Sequence, residues 1–242
     1  MPDRIVPRFV LTASLLLAGV LPLAASAQAV TYSLDPVHTR VMVAVSHAGF
    51  SNPMGTVSGS TGTFVFDPAD WSKARVEAKV PIDRLDFGDK KWNDAILGHN
   101  FLDAKDHPVA TFVSTRIEPV DATHATVFGN LTLRGVTREV KLDVVFHQAK
   151  RHPMPPFRRT AGFSATGTLS RRVFAITAYP NVVGDEVELR IEAEGARTRD
   201  DMQEPAAPSS VPSATRVAAP SSVALPPPAS TVVPASAVDT PP

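Results

Sequence analysis

The chain has 242 residues and no cysteine, and its 24 lysines and arginines equal its 24 aspartates and glutamates. A formal net charge of zero argues against nucleic acid as a partner and against strong attraction to anionic membranes. Without thiols the protein has no disulfides and no lipidated N-terminal cysteine, so its stability depends on a hydrophobic core.

The first 27 residues are typical of a secretory signal peptide. Arg4 and Arg8 precede an apolar stretch over residues 9–25, and Ala25-Ser26-Ala27 and Ala27-Gln28-Ala29 both fit a small-x-small cleavage site. The stretch is shorter than the ~20 residues of a membrane span, so an uncleaved anchor is the less favoured alternative. We therefore expect export and no transmembrane span after removal of the signal.

Residues 28–196 are long enough for one domain and are dominated by alternation of apolar and polar residues. Gly, Pro, Asp and Asn separate the alternating segments, which is typical of strands joined by turns. About eight strands at this spacing predict an antiparallel barrel or sandwich. The predicted strands are residues 40–47, 63–66, 75–82, 110–117, 126–133, 138–146, 161–169 and 186–193.

One segment of this domain breaks the alternation. Residues 90–107 predict a short helix, which Gly98 would end as a C′ residue. A single helix in such a chain would plug or cover one mouth of a barrel. The interior of an eight-stranded barrel is either filled by side chains or holds one ligand, and periodicity leaves both open.

The segment 197–242 consists mainly of Pro, Ala, Ser and Val, and it has no aromatic residue. Such a composition cannot bury enough apolar surface to offset the entropy of ordering the chain, so we expect a disordered tail. A spacer or a cell-wall-facing arm is the alternative function.

A series of motifs runs in order along the predicted domain. The main ones are Tyr32-x-Leu34-Asp35-x-x-His38-Thr39, Gly62-x-Phe64-x-Phe66-Asp67, Phe101-Leu102-Asp103, Gly129-x-Leu131-Thr132-Leu133-x-Gly135-Val136-Thr137 and Val183-Gly184-Asp185-Glu186-Val187. Their order and spacing, from Tyr32 to about Ala193, are similar to those of the YceI-like family.

The resemblance implies an all-β, eight-stranded antiparallel lipocalin-like barrel with a short helix near one mouth, located in the bacterial periplasm. It also implies a non-enzymatic protein that holds a polyisoprenoid or similar lipid, such as a quinone-like one, along the barrel axis, often as a homodimer. No other cofactor and no metal is expected.

Several positions depart from the family pattern, including Arg84 in place of a usual serine and Ala175 in place of the glycine after Phe174. The family often has Arg-Asp-x-His-Leu where this chain has Trp92-Asn93-Asp94-Ala95-Ile96, and Ser60 stands where a phenylalanine is common. A charged headgroup recognised at the helix in relatives is therefore not expected to be recognised here.

Ten residues are predicted to bind the ligand. The strand positions share the phase that keeps neighbours such as Ser46 and Thr63 outside, and the aromatic residues of the helical segment should close one end. Arg171, at a matching family position, presents a planar fork suited to phosphate or carboxylate. The set is Val43, Val45, His47, Phe64, Phe66, Trp92, Phe101, Phe112, Arg171 and Phe174.

Two other classes of function remain open. Asp35 and His38 would be the acid and base of an enzyme acting on an apolar substrate, although no Gly-x-Ser-x-Gly motif accompanies them. His38 and His47 would be a metal pair only if they shared a face, and their odd spacing on a strand disfavours this. An interaction module using residues 199–242 is the third hypothesis.

Overall fold

The computed structural model describes residues 29–198. The expected signal peptide lies outside the described residues, and so does the expected tail beyond Thr198. The described part contains eleven strands and one α-helix, with short 3₁₀ turns at Trp71–Lys73, Ile82–Arg84 and Arg171–Phe174. The elements are β1 (Val30–Leu34), β2 (Arg40–His47), β3 (Met54–Ser58), β4 (Thr61–Phe66), β5 (Arg75–Pro81), β6 (Leu85–Asp86), α1 (Lys90–Leu97), β7 (Val109–Pro119), β8 (His124–Leu133), β9 (Val136–Arg151), β10 (Arg159–Ser170) and β11 (Val183–Arg197).

Eight of these strands form a closed antiparallel ring. Around the ring, β1 is followed by β4, β5, β7, β8, β9, β10 and β11, and β11 pairs again with β1. The closing pair joins the two ends of the domain, with Tyr32 opposite Arg197 and Leu34 opposite Gly195. The expected eight-stranded antiparallel barrel with one short helix is therefore confirmed.

Three walls of the barrel are interrupted part-way along their length. β1 and β2 pair with successive parts of β11. On their other sides, β1 pairs with β4 and β2 pairs with β3. The short β6 then pairs with β3. The interruptions lie at residues 35–39, 59–60 and 82–84. Gly59 turns the second of them with a φ of +83°, a value that glycine adopts readily.

The helix α1 lies beside β6. The Asp89 carboxylate accepts the Trp92 N–H at 3.1 Å and caps the helix N-terminus. The Asn93 side chain accepts the Phe87 N–H and donates to Asp86, both at 2.8 Å, which fixes the helix to the short strand. The helix is shorter than the predicted residues 90–107. Gly98 ends it in an extended conformation (φ −69°) and not in the left-handed one of a C′ glycine.

An aromatic cluster fills one end of the barrel, which we call the aromatic end. Phe66 lies at its centre, with ring centroids 4.8–5.0 Å from those of Trp71, Phe146 and Phe163. Tyr32 stacks on Phe64 at 4.9 Å, and Phe64 contacts Phe163 edge-on at 5.4 Å. The opposite end carries α1, residues 98–108 and the β10–β11 connection, and we call it the helix end.

Candidate functional site

A cavity of about 630 Å³ runs inside the barrel from the aromatic end to the helix end. Its wall is made by every second residue of the long strands, because side chains alternate between the two faces of a sheet. Val41, Val43 and Val45 line it from β2, and Val187, Leu189 and Ile191 line it from the facing part of β11. The barrel interior is therefore a tunnel, which answers the question that the sequence left open.

The tunnel wall is almost entirely apolar. In the described part of the chain, no aspartate, glutamate or lysine lines it, and its charged residues are Arg75 and Arg171. Hydroxyls are supplied by Thr39, Ser46 and Ser60. The prediction that Ser46 faces outside is wrong, because the pairing of β2 with β11 is irregular between Val183 and Val187, next to the end of β2. Such a wall suits an uncharged hydrocarbon chain, since an ion enters an apolar cavity only with a partner.

The helix end of the tunnel is bordered by aromatic rings on several segments. The Trp92 ring of α1 lies 5.7 Å from the His47 ring and 6.3 Å from the Phe87 ring. Phe101, which follows the helix, stacks on Tyr179 of the β10–β11 connection at 5.9 Å.

Arg134 ties two of these segments together. It forms the two-residue turn between β8 and β9 with Gly135, and both residues have positive φ (50° and 73°), as in a type I′ turn. Its guanidinium donates to the His99 carbonyl at 2.7 Å and to the Ala175 carbonyl. The turn therefore fixes the segment after α1 to the β10–β11 connection.

All ten residues predicted to bind the ligand line the tunnel. Phe64 and Phe66 lie at the aromatic end, Val43, Val45 and Phe112 are in the walls, and the others are at the helix end. Phe174 is buried and packs with Leu169 and Ile176 below the helix-end mouth. Contact of these residues with a ligand stays a prediction.

Arg171 was predicted to bind a lipid headgroup, but most of its guanidinium is bound to the protein's own backbone. The residue is only 4% exposed, and its guanidinium donates to the carbonyls of Gly184, Ile176, Ala178 and Val183 at 2.7–2.9 Å. Burial lowers the pKa of the guanidinium, but an arginine stays charged. Four of its five N–H groups are thus used to hold the β10–β11 connection, and at most one is left for a ligand.

Asp35 and His38 form a pair outside the tunnel. The Asp35 carboxylate lies 2.7 Å from His38 Nδ1 and also accepts the Val37 N–H at 2.8 Å. Neither side chain lines the cavity, and that of His38 is 60% exposed. The pair stabilises the turn between β1 and β2 and is not part of the tunnel wall.

The histidines do not assemble into a metal site in the described residues. His47 lines the tunnel whereas His38 lies outside it, so the strand separates them. Among residues 29–198, no group of three or more His, Asp and Glu side chains is placed to hold a metal ion. The same residues contain no helix that is long and apolar enough to span a bilayer.

Sequence reasoning missed several residues of the site. Trp71 and Ser60 line the tunnel as buried side chains, Tyr179 stacks at the mouth, and Arg134 fixes the mouth segments. Trp71 follows the Asp67-Pro68 turn signal and lies outside any alternating segment, so no pattern predicted that it faces inward. Arg134 is the first residue of a type I′ turn, and nothing in the sequence of that turn indicates that its side chain binds distant carbonyls.

A model of the YceI-like domain matches residues 32–195, most of the described barrel. The chain belongs to the YceI-like family. The motifs from Tyr32 to the start of β11 fall within the matched region, as the resemblance predicted.

Relatives of similar sequence cover the same region. A UPF0312 protein of Pectobacterium atrosepticum is 33% identical over 188 residues, which span 77% of this chain and 96% of the relative. A UPF0312 protein of Pseudomonas savastanoi is 31% identical over 189 residues, 77% of this chain and 97% of that one.

Solved structures show the same YceI-like barrel. BcnA of Burkholderia cenocepacia is 25% identical with a TM-score of 0.60, and the match covers 66% of this chain and 98% of BcnA. The YceI protein of Campylobacter jejuni is 24% identical with a TM-score of 0.53, over 62% and 86% of the two chains. The homodimer expected from the resemblance stays a prediction.

Proposed function

We propose that this chain is a non-enzymatic binding protein that holds a long-chain isoprenoid or similar lipid in the barrel tunnel. The apolar tunnel of about 630 Å³ is the observation that carries the proposal. Clefts and cavities of ≈ 300–1,000 Å³ with mostly apolar walls are typical of small-molecule sites.

The size of the tunnel fits a chain of several isoprene units. A cavity of ~150 Å³ accommodates benzene, so the 630 Å³ tunnel has room for about 25 apolar carbon atoms, or roughly five isoprene units. Burying one such unit contributes about 3–4 kcal/mol. Five units together exceed the cost of association, which is about 4–15 kcal/mol.

The arrangement supports binding rather than catalysis. Asp35 and His38, the candidate acid and base, are on the outside of the barrel at the β1–β2 turn. Within the described residues, the tunnel offers no carboxylate beside a histidine or a serine that would activate a nucleophile.

We further propose that the protein works in the periplasm after cleavage of residues 1–27. The basic start, the apolar stretch and the small-x-small site support this proposal. Fractionation of cells that express the full chain should recover it with periplasmic markers, and its N-terminus should follow Ala27 or Ala29. Recovery of an uncleaved chain in the cytoplasm would contradict the export proposal and leave the lipid proposal untouched.

The lipid proposal is tested first on material from the protein's own host. Organic extraction of the purified protein followed by mass spectrometry should release a lipid with an isoprenoid or comparable long chain. The same extraction from the Val45→Trp variant is the matched control, because an indole at a tunnel-lining position takes the space of the ligand.

The two tryptophans of the chain provide an independent measurement. Trp71 and Trp92 both line the tunnel, one near each end, and the sequence has no other tryptophan. In delipidated Trp71→Phe and Trp92→Phe variants, titration with farnesol should change the emission of the remaining tryptophan, whereas 1-butanol at the same concentration should not. Absence of a retained lipid together with unchanged emission in both variants would refute the proposal.

A further inference from the structure

Two buried hydroxyl groups interrupt the apolar wall of the tunnel. Thr39 is 3% exposed, Ser60 is 1% exposed, and both line the cavity. They lie at the interruptions of neighbouring walls, since Thr39 precedes β2 and Ser60 separates β3 from β4. The Gly59 N–H donates to the Pro36 carbonyl at 3.1 Å and joins the two interruptions.

The Ser60 hydroxyl has no hydrogen-bonding partner among the described residues. A buried hydroxyl normally has one, and leaving it without a partner destabilises the folded state. The Thr39 hydroxyl donates to the Glu194 carbonyl at 3.3 Å, and its own oxygen can still accept. The tunnel therefore presents an unused donor and acceptors at two adjoining interruptions, since Arg40 and Ser58, which come just after Thr39 and just before Gly59, are paired.

The charges of the tunnel indicate what kind of group these hydroxyls suit. Arg171 is occupied by four backbone carbonyls, and Arg75 is an exposed residue next to the aromatic end. No lysine lines the tunnel in the described part of the chain. Arg84 lies against Gly59, but it does not line the tunnel. An anionic group inside the tunnel at Ser60 would therefore have no cation in the lining beside it, whereas a neutral oxygen needs only a hydrogen bond.

We propose that Ser60, with Thr39 beside it, forms a polar subsite inside the tunnel for a neutral oxygen-bearing group of the ligand, such as an alcohol or a carbonyl. This inference rests on the proposed lipid-binding function and specifies its ligand class. The ligand is a prenyl-type chain whose uncharged polar group is buried at the strand interruptions, with the hydrocarbon extending towards one or both ends.

The subsite is tested by combining two ligands with two proteins. The ligands are farnesol and farnesene, which share a fifteen-carbon prenyl skeleton; farnesene lacks the hydroxyl and has one additional double bond. The proteins are wild type and Ser60→Ala, with Ser33→Ala as the matched control, because Ser33 is exposed on the outer face of neighbouring β1. Binding is measured by tryptophan fluorescence of the delipidated full chain.

The preference for farnesol over farnesene should fall about fivefold in Ser60→Ala, the effect of one net hydrogen bond. Farnesene affinity should be unchanged or higher in that variant, and Ser33→Ala should match wild type. In the absence of ligand, Ser60→Ala should melt at the same temperature or higher, since it removes a hydroxyl without a partner. This melt excludes a folding defect as the cause of weaker farnesol binding.

The outcomes separate the two proposals. If both ligands bind wild type but the preference is the same in Ser60→Ala, the polar subsite is refuted and the lipid-binding function stands. Tighter binding of farnesyl diphosphate than of farnesol by wild type would also overturn the subsite, because it requires a charged group to be recognised. If neither ligand binds wild type, the lipid-binding function fails and the subsite fails with it.

Discussion

The ring of Phe101 stacks on the ring of Tyr179 at the helix end, with centroids 5.9 Å apart and 17° between the planes. Phe101 follows α1 and Tyr179 belongs to the β10–β11 connection, so the stack bridges two segments across the tunnel mouth. An aromatic pair of this kind contributes about 0.5–1.5 kcal/mol beyond area burial. The stack is therefore weak enough to open and strong enough to slow the passage of a ligand.

Replacing Tyr179 by Ala should speed ligand exchange at this mouth. We expect dissociation of farnesol to be about three- to tenfold faster, which is the rate equivalent of the lost stacking energy. The melting temperature should change little, because Tyr179 is 58% exposed. Stopped-flow fluorescence after dilution measures the rate, and Tyr179→Phe, which keeps the ring, should behave as wild type. Equal rates in all three proteins would mean that ligands do not pass this stack.

Filling the tunnel should abolish binding without unfolding the protein. Val45→Trp and Phe112→Trp introduce larger rings into open space, so lipid retention should fall more than tenfold while the melt stays close to that of delipidated wild type. In a packed core the same changes would destabilise by ~1–3 kcal/mol. Val113→Trp is the control, because Val113 is 45% exposed and does not line the tunnel. A large fall in the melting temperature of both Val45→Trp and Phe112→Trp would contradict the tunnel.

Replacing Arg171 should destabilise the protein even when the substitution keeps the positive charge. Arg171→Lys retains the cation but cannot reach four carbonyls with one ammonium group, so we expect a loss of at least about 3 kcal/mol in the free energy of unfolding. Arg172→Lys should be nearly neutral, because that side chain is about half exposed in its contact with Asp185. Urea unfolding of the delipidated proteins measures both. A stable Arg171→Lys variant that loses ligand would instead support direct headgroup binding.

The Asp35–His38 pair predicts a small dependence of stability on pH. The hydrogen bond that His38 donates to the Asp35 carboxylate raises the pKa of His38 above its usual 6.5. Burial opposes ionisation of Asp35, but hydrogen bonds from His38 and from the Val37 and His38 N–H groups hold the pKa of Asp35 below its usual 3.8. The stabilisation by His38 is complete below pH 6.5 and is lost as the pH rises through its raised pKa. The stabilisation by Asp35 is lost only as the pH falls through its lowered pKa.

This effect is measured by melting wild type and His38→Gln across about pH 5 to 8. Their difference in stability should be largest at the acidic side of that range and should decline towards the alkaline side. Both side chains are partly exposed, so solvent screening keeps the whole effect well below about 1 kcal/mol, and high salt should reduce it further. A difference that grows with pH would show that the pair does not act in this way.

The sequence predicted the barrel and most of the lining of its tunnel because a period of two fixes the face of each residue in a regular strand. β2 was predicted at its observed bounds, and Val43 and Val45 line the tunnel as assigned. The alternation fails at the end of β2, where Ser46 also lines the tunnel beside the irregular pairing between Val183 and Val187. β3 and β6 were missed because they have only five and two residues, too few for a pattern. The five-residue β1 was also not predicted as a strand, although part of it lies in the Tyr32 motif.

The chemistry of individual polar residues was harder to predict, because it depends on groups that are distant in the sequence. Arg171 looked like a headgroup ligand, but the chain returns after β10 and points carbonyls from Ile176 to Gly184 at its guanidinium. Ser60 lies next to a glycine in a turn-like segment. Its position in the tunnel wall follows only from the closure of the barrel. Residue type and spacing contain neither fact.

The pairing of β1 with β11 also determines when the protein can acquire its function during folding. Residues 32–34 meet residues 195–197, so this contact has almost the largest sequence separation that the domain allows. Contacts of long sequence separation form late, because a large loop must close before they are made. A chain that emerges from its N-terminus therefore remains an open sheet with unpaired edges, prone to pairing with other chains, until the last strand arrives. Capture of a ligand then follows completion of the fold and cannot guide its early steps.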